Sequence, residues 1–241
     1  AVLEALGKKQ IQEGLIDIGF LNDRGDPARY EYAPPGYYVK DNGVGMSDVE
    51  LRDKFLLLGE EGGFGPESTE PRFGGFALAK APILWPTEEG LHWEIKTRDN
   101  YFTYEMALVE DEVGTIPFQQ GTTLKVWNDK NTKIITSHRA EAYIKTTELP
   151  KNIKVLINGV PAESIFYKHG KRVSAKSVTT LTMDEGKTTI RFSYYASGTL
   201  NDNQAHNSEA IIRLEGRGGI KLTQAIKDIW TTGFGGTIVV D

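Results

Sequence analysis

The chain of 241 residues contains no cysteine. It can therefore form neither a disulfide nor a thiolate metal site, and this absence suits the cytoplasmic location that we expect for it. The four histidines, His92, His138, His169 and His206, are scattered along the chain without metal-ligand spacing. The sequence predicts no metal site built from cysteine or histidine.

Long apolar runs are also missing. No stretch approaches the roughly 18 residues that a membrane helix needs, so we predict no membrane partner. Residues 1–6 have no basic segment ahead of them and do not resemble a signal peptide. Lys and Arg number 28 against 33 Asp and Glu, and the resulting net charge of −5 does not indicate a nucleic-acid partner.

What the sequence does contain is an ordinary globular composition, with 39% hydrophobic and 25% charged residues. Apolar spacing predicts a helix over residues 1–14 that ends at Gly14, and another over 47–58. Alternating residues predict strands, with a tight turn at Asp99-Asn100 joining two of them. The predicted strands of the first two thirds lie at 15–22, 29–40, 91–97, 101–109, 122–127 and 153–160. Beyond residue 160 short strands dominate, with one predicted helix at 222–230.

The most informative stretch is Asp41-Asn-Gly-Val-Gly-Met46, which directly follows a β-rich run. An aspartate at the end of a strand can accept a hydrogen bond from an exocyclic amine such as that of adenine. Gly43 and Gly45 leave room for a planar ring to approach the backbone. Ser47 and Glu50 then have the spacing of a capping box that begins a helix. The alternative interpretation is a strand-to-helix turn that uses Asp-Asn-Gly only for its geometry.

Two further glycine motifs follow. Gly59 opens a polar segment rich in glycine and proline that reaches residue 71 and is too long for an ordinary turn. Residues 74–80 read Gly-Gly-Phe-Ala-Leu-Ala-Lys, and backbone amides at the start of a helix favour a phosphate. Gly121 and Thr122 begin another strand. Each motif also has a structural interpretation: a surface loop, a small-residue helix packed on a sheet, and a pair of β-forming threonines.

Taken in this order, the motifs resemble the ATP-binding core of the GHKL superfamily, which includes gyrase B, heat-shock ninety chaperones, histidine kinases and MutL. The resemblance covers about residues 1–160. It implies that Glu4, in the first helix, is the catalytic general base, that Asp41 binds adenine, and that residues 59–71 form a lid over ATP. The implied cofactor-binding residues are Lys8, Asp41, Asn42, Gly43, Gly45, Met46, Gly59, Gly74, Gly75, Phe76, Ala77, Lys80 and Thr122.

The chain departs from the family pattern at two places. Lys8 stands where the family has the asparagine that binds magnesium, and an ammonium group has no lone pair with which to hold a cation. Lys8 can instead pair with a phosphate, or with Glu4 one turn away. Ala77 and Ala79 replace two glycines of the phosphate-binding segment. We therefore expect slow hydrolysis that depends only weakly on Mg²⁺. The alternative for Glu4 is a solvated carboxylate on a helix face.

The resulting prediction is an α+β fold for residues 1–160. It is a two-layer α/β sandwich of the Bergerat type, with a mixed, mainly antiparallel sheet and helices on one face. Residues 161–241 are predicted to form a β-rich extension or the start of a transducer-like second domain. The implied function is an ATPase, with ATP and Mg²⁺, that acts as a conformational switch in a larger protein and through that protein forms a homodimer. The alternatives are a nucleotide-binding regulatory domain without hydrolysis and a β-rich binding module unrelated to ATP.

Overall fold

The structure is a computed structural model, and it divides into two compact units. Unit 1 comprises Ala1–Glu141 and Lys151–Ala162, and unit 2 comprises Ala142–Pro150 and Glu163–Asp241. In the part of the chain that the structure describes, no helix is both long enough and apolar enough to cross a lipid bilayer. The described residues are 2–28, 34–56, 84, 89–133, 141, 144–145, 147, 152–168, 171–183, 188–196, 199–200, 209–215, 221–227 and 237–240.

Unit 1 is built on a seven-stranded sheet of order β4-β5-β3-β1-β6-β7, with β2 paired to β1. Only the pairing of β1 with β6 is parallel; the other described pairings are antiparallel. Its described elements are α1 (Val2–Gly7), β1 (Gly14–Leu21), β2 (Pro27–Ala28), β3 (Gly36–Asp41), α2 (Asp48–Glu50) continued by a π-helix (Leu51–Leu56), β4 (Leu91–Thr103), α3 (Tyr104–Leu108), β5 (Gly114–Asn128), β6 (Ile153–Ile157) and β7 (Val160–Pro161).

The core of unit 1 forms where one face of β4 and β5 meets the π-helix. Residues of β4 alternate between buried and part-exposed, as expected for a strand with one covered face. Trp93, Ile95 and Leu51 are fully buried, and Val126 of β5 packs with them. Burial of side chains this large accounts for most of the favourable free energy of folding of the unit.

The first helix is shorter than predicted, because it ends at Gly7 and not at Gly14. The Gln10 N–H donates to the Ala5 carbonyl and the Lys9 N–H to the Leu6 carbonyl, which is a Schellman motif. Lys9 occupies the left-handed position of that motif with a φ of 56°. Glycine usually holds this position, so a lysine there hides the helix end from sequence analysis.

The predicted turn at Asp99-Asn100 is wrong, and the predicted strand over 101–109 is present only as far as Thr103. One strand, β4, runs from Leu91 through Thr103, and α3 follows directly. Register shifts against β5 on both sides of Arg98 form a β-bulge. The buried residues have odd numbers up to Thr97 and even numbers from Asn100, so the bulge reverses the inward face of the strand.

The segment after Met46 begins as predicted. The Ser47 hydroxyl accepts from the Glu50 N–H at 3.3 Å, and the Glu50 carboxylate accepts from the Ser47 N–H at 3.0 Å, which confirms the capping box. The helix then continues as the π-helix Leu51–Leu56 and not as a regular α-helix. Turns of π-helix are rare and are often found next to functional sites.

Unit 2 is β-rich, and its larger sheet has the order β10-β11-β14-β12-β13. Its buried cluster contains Ile165, Phe166, Tyr195 and Val239. Together with the mainly antiparallel sheet of unit 1, this sheet confirms the predicted fold class. The described strands are β8 (Tyr167–Lys168), β9 (Lys171–Arg172), β10 (Ser177–Met183), β11 (Thr188–Tyr195), β12 (Glu209–Glu215), β13 (Lys221–Lys227) and β14 (Thr237–Val240).

The helix predicted over 222–230 is wrong, because β13 pairs antiparallel with β12 through seven consecutive residues of each strand. The segment contains helix-forming Lys, Gln and Ala, and the pairing with β12 overrides that local propensity.

A histidine connects β4 to the elements beside it in unit 1. His92 Nδ1 lies 2.6 Å from Glu105 Oε1 of α3, and its Nε2 lies 3.0 Å from Asp129 Oδ2. The ring stacks on Trp127 at 5.5 Å and meets Tyr104 edge-on. Burial alone would lower the pKa of His92, but the hydrogen bonds to Asp129 and Glu105 outweigh burial and raise the pKa above 6.5.

We expect the stability of unit 1 to depend on His92 near neutral pH. Because the pKa of His92 is raised in the folded state, its contribution is complete below about pH 6.5 and is lost as the pH rises through the folded pKa. The free energy of unfolding, measured in urea from pH 6 to pH 9, should fall over this range. His92→Gln should flatten the profile.

Lys130→Gln is the matched control, since Lys130 pairs with Glu89 at 2.5 Å and lysine does not titrate in this range. It should keep the slope of the parent protein. An equal slope in His92→Gln would show that the cluster of His92, Glu105 and Asp129 does not stabilise the fold.

Candidate functional site

The predicted adenine-binding stretch begins where β3 ends. Asp41 is the last residue of β3 and pairs in register with Thr122 of β5. Its Oδ1 accepts a hydrogen bond from the Gly43 N–H at 2.7 Å, which closes an Asx turn and fixes the carboxylate. Residues 42–47 then pass across β5 and β4 and enter α2, so this stretch lies against the sheet.

Two glycines make that crossing possible. Gly45 has a φ of +67°, and a Cβ on it would lie 2.6 Å from Arg98 Cγ and 2.9 Å from the Gly121 carbonyl oxygen. Gly121 has a φ of +83°, and a Cβ there would lie only 1.9 Å from the carbonyl oxygen of Asp41. Both the left-handed conformation and the lack of space require glycine at these positions.

Thr97 joins residues 42–47, called the crossing loop below, to the sheet. Its buried hydroxyl accepts from the Met46 N–H at 2.7 Å and lies 3.0 Å from the Thr122 hydroxyl and 3.3 Å from the Gly121 carbonyl. The sequence analysis predicted Met46 and Thr122 as site residues but missed Thr97. Its contacts span 51 residues to Met46, so no local pattern could have indicated them.

Asn42 has a structural role that is visible in its hydrogen bonds. Its Oδ1 accepts from the Leu15 N–H at 2.7 Å, and its Nδ2 donates to the Glu13 carbonyl at 2.9 Å. Both ends of the amide therefore hold the loop to the start of β1. Gln120 contributes from the other side, because its Nε2 donates to the Gly43 carbonyl.

Glu4 of helix α1, and Lys8 just beyond the end of that helix, lie away from the buried face of α1. Val2 and Ala5 are buried, and a Cβ on Gly14 would meet the Val2 side chain, so that face packs on the start of β1. Lys8 Nζ lies 2.5 Å from Glu4 Oε1, and 30% of the Glu4 side chain is exposed. The pairing of Lys8 with Glu4 one turn away is thus present.

One cavity of about 360 Å³ brings these elements together. This volume falls within the range of about 300–1,000 Å³ that is usual for small-ligand sites. The cavity joins α1, the crossing loop, the start of α2 and the two strands at the bulge. The described residues that line it are Glu4, Lys8, Gln10, Val44, Gly45, Glu50, Arg98, Phe118 and Gln120.

The lining includes three predicted site residues, Glu4, Lys8 and Gly45. Asp41, Asn42, Gly43, Met46 and Thr122 are not in it. The carbonyls of Asn42 and Gly43 accept from the side chain of Gln120, which does line it. Sequence analysis missed the other lining residues, of which Arg98 carries a permanent positive charge. Six predicted residues lie outside the described part of the chain: Gly59, Gly74, Gly75, Phe76, Ala77 and Lys80.

Burial raises the pKa of the Asp41 carboxyl above its ordinary value, while hydrogen bonds from the backbone N–H groups of Gly43 and Thr122 partly oppose that effect. A raised pKa means that the ionised carboxylate has lost more hydration than its hydrogen bonds replace. Such a group retains acceptor capacity and would gain from one more donor. The predicted amine of adenine is a donor of this kind.

No protein-family model matches the chain, and no curated protein sequence matches it. The chain is similar to two solved structures of the ATPase region of Saccharomyces cerevisiae topoisomerase II, the second of which is bound to ICRF-187 (dexrazoxane). The sequence identities are 12% and 11%, the TM-scores are 0.48 and 0.47, and each match covers 88% of this chain. The chain spans 58% of the length of each topoisomerase chain.

Proposed function

We propose that unit 1 is an ATP-binding domain of the GHKL type that hydrolyses ATP slowly and acts as a conformational switch in a larger protein. One observation carries the proposal: a single cavity is lined by Glu4 of the first helix, by Lys8 just after that helix, and by Gly45 of the glycine stretch at residues 41–46. These residues are about 40 positions apart in sequence. Their convergence is what the order of the sequence motifs predicts.

In this proposal Asp41 recognises adenine. Its carboxylate is held by the Gly43 N–H at 2.7 Å, so it is oriented before any ligand arrives. Orientation before binding lowers the conformational entropy that is lost on binding. Gly45 and Gly121 let the backbone lie close to the strands, because a Cβ on either glycine would clash with its neighbours.

The residues present do not fit a magnesium ion held in the usual way of this superfamily. Lys8 offers an ammonium in place of an amide oxygen, and its positive charge would repel a cation. Among the described residues, no group of three or more His, Asp and Glu side chains is arranged to hold a metal. The proposal therefore assigns no step to a protein-bound cation.

The ion pair of Glu4 and Lys8 governs hydrolysis in this account. A general base must lie within hydrogen-bond reach of the water that it deprotonates. Glu4 Oε1 instead lies 2.5 Å from Lys8 Nζ, so that oxygen faces an ammonium group and not a water. We therefore expect slow turnover.

Two substitutions, one at Glu4 and one at Lys8, test this account. Glu4→Ala should abolish phosphate release and leave the heat of ATP binding in a calorimetric titration. Lys8→Asn should increase phosphate release and its dependence on Mg²⁺, because it frees the carboxylate and restores an oxygen ligand. Glu13→Ala is the control, since Glu13 pairs with Lys154 outside the cavity lining.

The outcomes are distinct. Binding heat with slow phosphate release that Glu4→Ala removes supports the proposal. Brisk hydrolysis by the unmodified protein that requires Mg²⁺ strictly would contradict the role given to the Glu4–Lys8 pair. The absence of both heat and phosphate release would contradict nucleotide binding itself and favour a β-rich binding module.

The second candidate function is a nucleotide-binding regulatory domain without hydrolysis. The same ion pair favours it, because one oxygen of the Glu4 carboxylate lies 2.5 Å from Lys8 Nζ and not against a water. Binding heat without phosphate release, in the parent protein and in Lys8→Asn alike, would identify this function. A homodimer formed through the larger protein, and a cytoplasmic location, remain predictions under either candidate.

A further inference from the structure

Arg98 has an unusual backbone conformation for its residue type. Its φ is 53°, in the left-handed region, and it lies within the β-bulge between β4 and β5. A residue other than glycine is uncommon in this region, and such residues are often found at functional sites. Bulges beside functional sites commonly redirect a side chain. Here the extra residues lie on β5, opposite Arg98, and Arg98 lines the cavity.

The glycine stretch leaves room for the Arg98 side chain. Arg98 Cγ lies so close to Gly45 that a Cβ on Gly45 would be only 2.6 Å away. The aliphatic part of Arg98 therefore lies across the glycine, and Arg98 is one of the residues that line the cavity. Glycine is therefore required at position 45 for two reasons: its left-handed backbone conformation and the space that the Arg98 side chain occupies.

Arg98 is also the cationic lining residue for which the described part of the chain provides no ion-pair partner. Four described lining residues are charged: Glu4, Lys8, Glu50 and Arg98. Glu4 and Lys8 pair with each other, and Glu50 accepts from both the N–H and the hydroxyl of Ser47 in the capping box. Within the described part of the chain, no carboxylate forms an ion pair with Arg98.

An arginine in such a position is a ligand for an anion. Guanidinium remains protonated at all relevant pH values and binds phosphate through two parallel hydrogen bonds. The partly enclosed cavity wall strengthens this attraction relative to open water. Lys8 is less able to bind an anion, because Glu4 already compensates its charge.

We infer that Arg98 binds the phosphate groups of the nucleotide in this cavity and supplies the positive charge that allows binding without a divalent cation. This inference rests on the proposed function. It assigns a role to a residue that the sequence motifs do not include. It also explains how a site with lysine at position 8 holds a polyphosphate.

The test compares ATP with adenosine, each titrated calorimetrically in EDTA and in Mg²⁺. The parent protein should bind ATP in EDTA. Arg98→Gln should weaken ATP binding roughly 10- to 100-fold, the range expected for losing a charge-assisted hydrogen bond. Adenosine, which has no phosphate, should bind both proteins equally. Arg98→Lys should recover part of the ATP affinity.

Arg52→Gln is the matched control, because Arg52 pairs with Asp48 at 2.8 Å and does not line the cavity. It should bind ATP like the parent protein. Equal ATP affinity in Arg98→Gln and the parent, or an equal loss of ATP and adenosine, would overturn the inference and leave the proposed function standing. ATP binding only in Mg²⁺ would overturn the cation-independent part. If the parent protein binds neither ligand, the proposed function fails as well.

Discussion

Replacing Gly121 with alanine is expected to destabilise unit 1 far more than the same change at Gly7 or Gly159. The new Cβ would lie 1.9 Å from the Asp41 carbonyl oxygen, 2.7 Å from the Asp41 carbonyl carbon and 2.8 Å from Asn42 Cα. These are backbone atoms, so no side chain can rotate away, and β3 must separate from β5. A φ of +83° adds strain for any residue with a Cβ. We expect a loss of about 4 kcal/mol or more in the free energy of unfolding.

The other two glycines provide graded controls. Gly159 has a φ of +74° with open space around it, so Gly159→Ala should cost only the conformational strain of roughly 1–2 kcal/mol. Gly7 is in α1 and a Cβ there meets no atom within 4 Å, so Gly7→Ala should be neutral or stabilising. Urea denaturation and hydrogen exchange of the β3 and β5 amides measure the series. If the β3 and β5 amides are equally protected from hydrogen exchange in Gly121→Ala and Gly7→Ala, the close contact between Gly121 and Asp41 is contradicted.

Replacing Asp41 with asparagine is expected to weaken ATP binding by roughly 1.5–3 kcal/mol, the value of a hydrogen bond to a charged group, or about 10- to 150-fold. The Gly43 N–H occupies one carboxylate oxygen at 2.7 Å. In Asp41→Asn the single amide oxygen would serve Gly43, and the NH₂ group would face the adenine amine, which is also a donor. The lost attraction thus becomes a repulsion.

The same substitution should not destabilise the fold. Because burial raises the pKa of Asp41 in the folded state, its contribution to stability is greatest below the unfolded pKa and declines as the pH rises through the folded pKa. At pH 7 the ionised carboxylate is therefore a net cost, which Asp41→Asn removes. Urea denaturation should give an equal or higher midpoint while calorimetry gives weaker ATP binding.

Asp26→Asn is the matched control for charge, since Asp26 is an exposed turn residue outside the cavity lining. It should leave the ATP affinity unchanged. If Asp41→Asn binds ATP as tightly as Asp26→Asn does, Asp41 does not recognise adenine.

Features that depend on near neighbours could be predicted from the sequence. The capping box of Ser47 and Glu50 and the pairing of Glu4 with Lys8 are each fixed by a spacing of three or four residues on a helix. The β-rich character of both units also follows from local alternation. Predicting these features does not require knowing which distant segments of the chain contact one another.

Features that depend on register or on a tertiary contact could not be predicted. Arg98 reaches the cavity only because a bulge shifts β4 against β5, and Thr97 acts only where the crossing loop meets it. The strand at Lys221–Lys227 has a helix-forming composition, and its partner Glu209–Glu215 overrides that composition. Lys9 ends a helix in a conformation that glycine usually adopts.

The most direct test of nucleotide binding at this site is a crystal structure of the protein with a nonhydrolysable ATP analogue. We predict the adenine amine within about 3.2 Å of the Asp41 carboxylate, a normal hydrogen-bond distance. The phosphates should lie in the cavity lined by Glu4, Lys8, Gly45 and Arg98. An analogue bound elsewhere, or none bound at a saturating concentration, would contradict the assignment of this cavity as an ATP site.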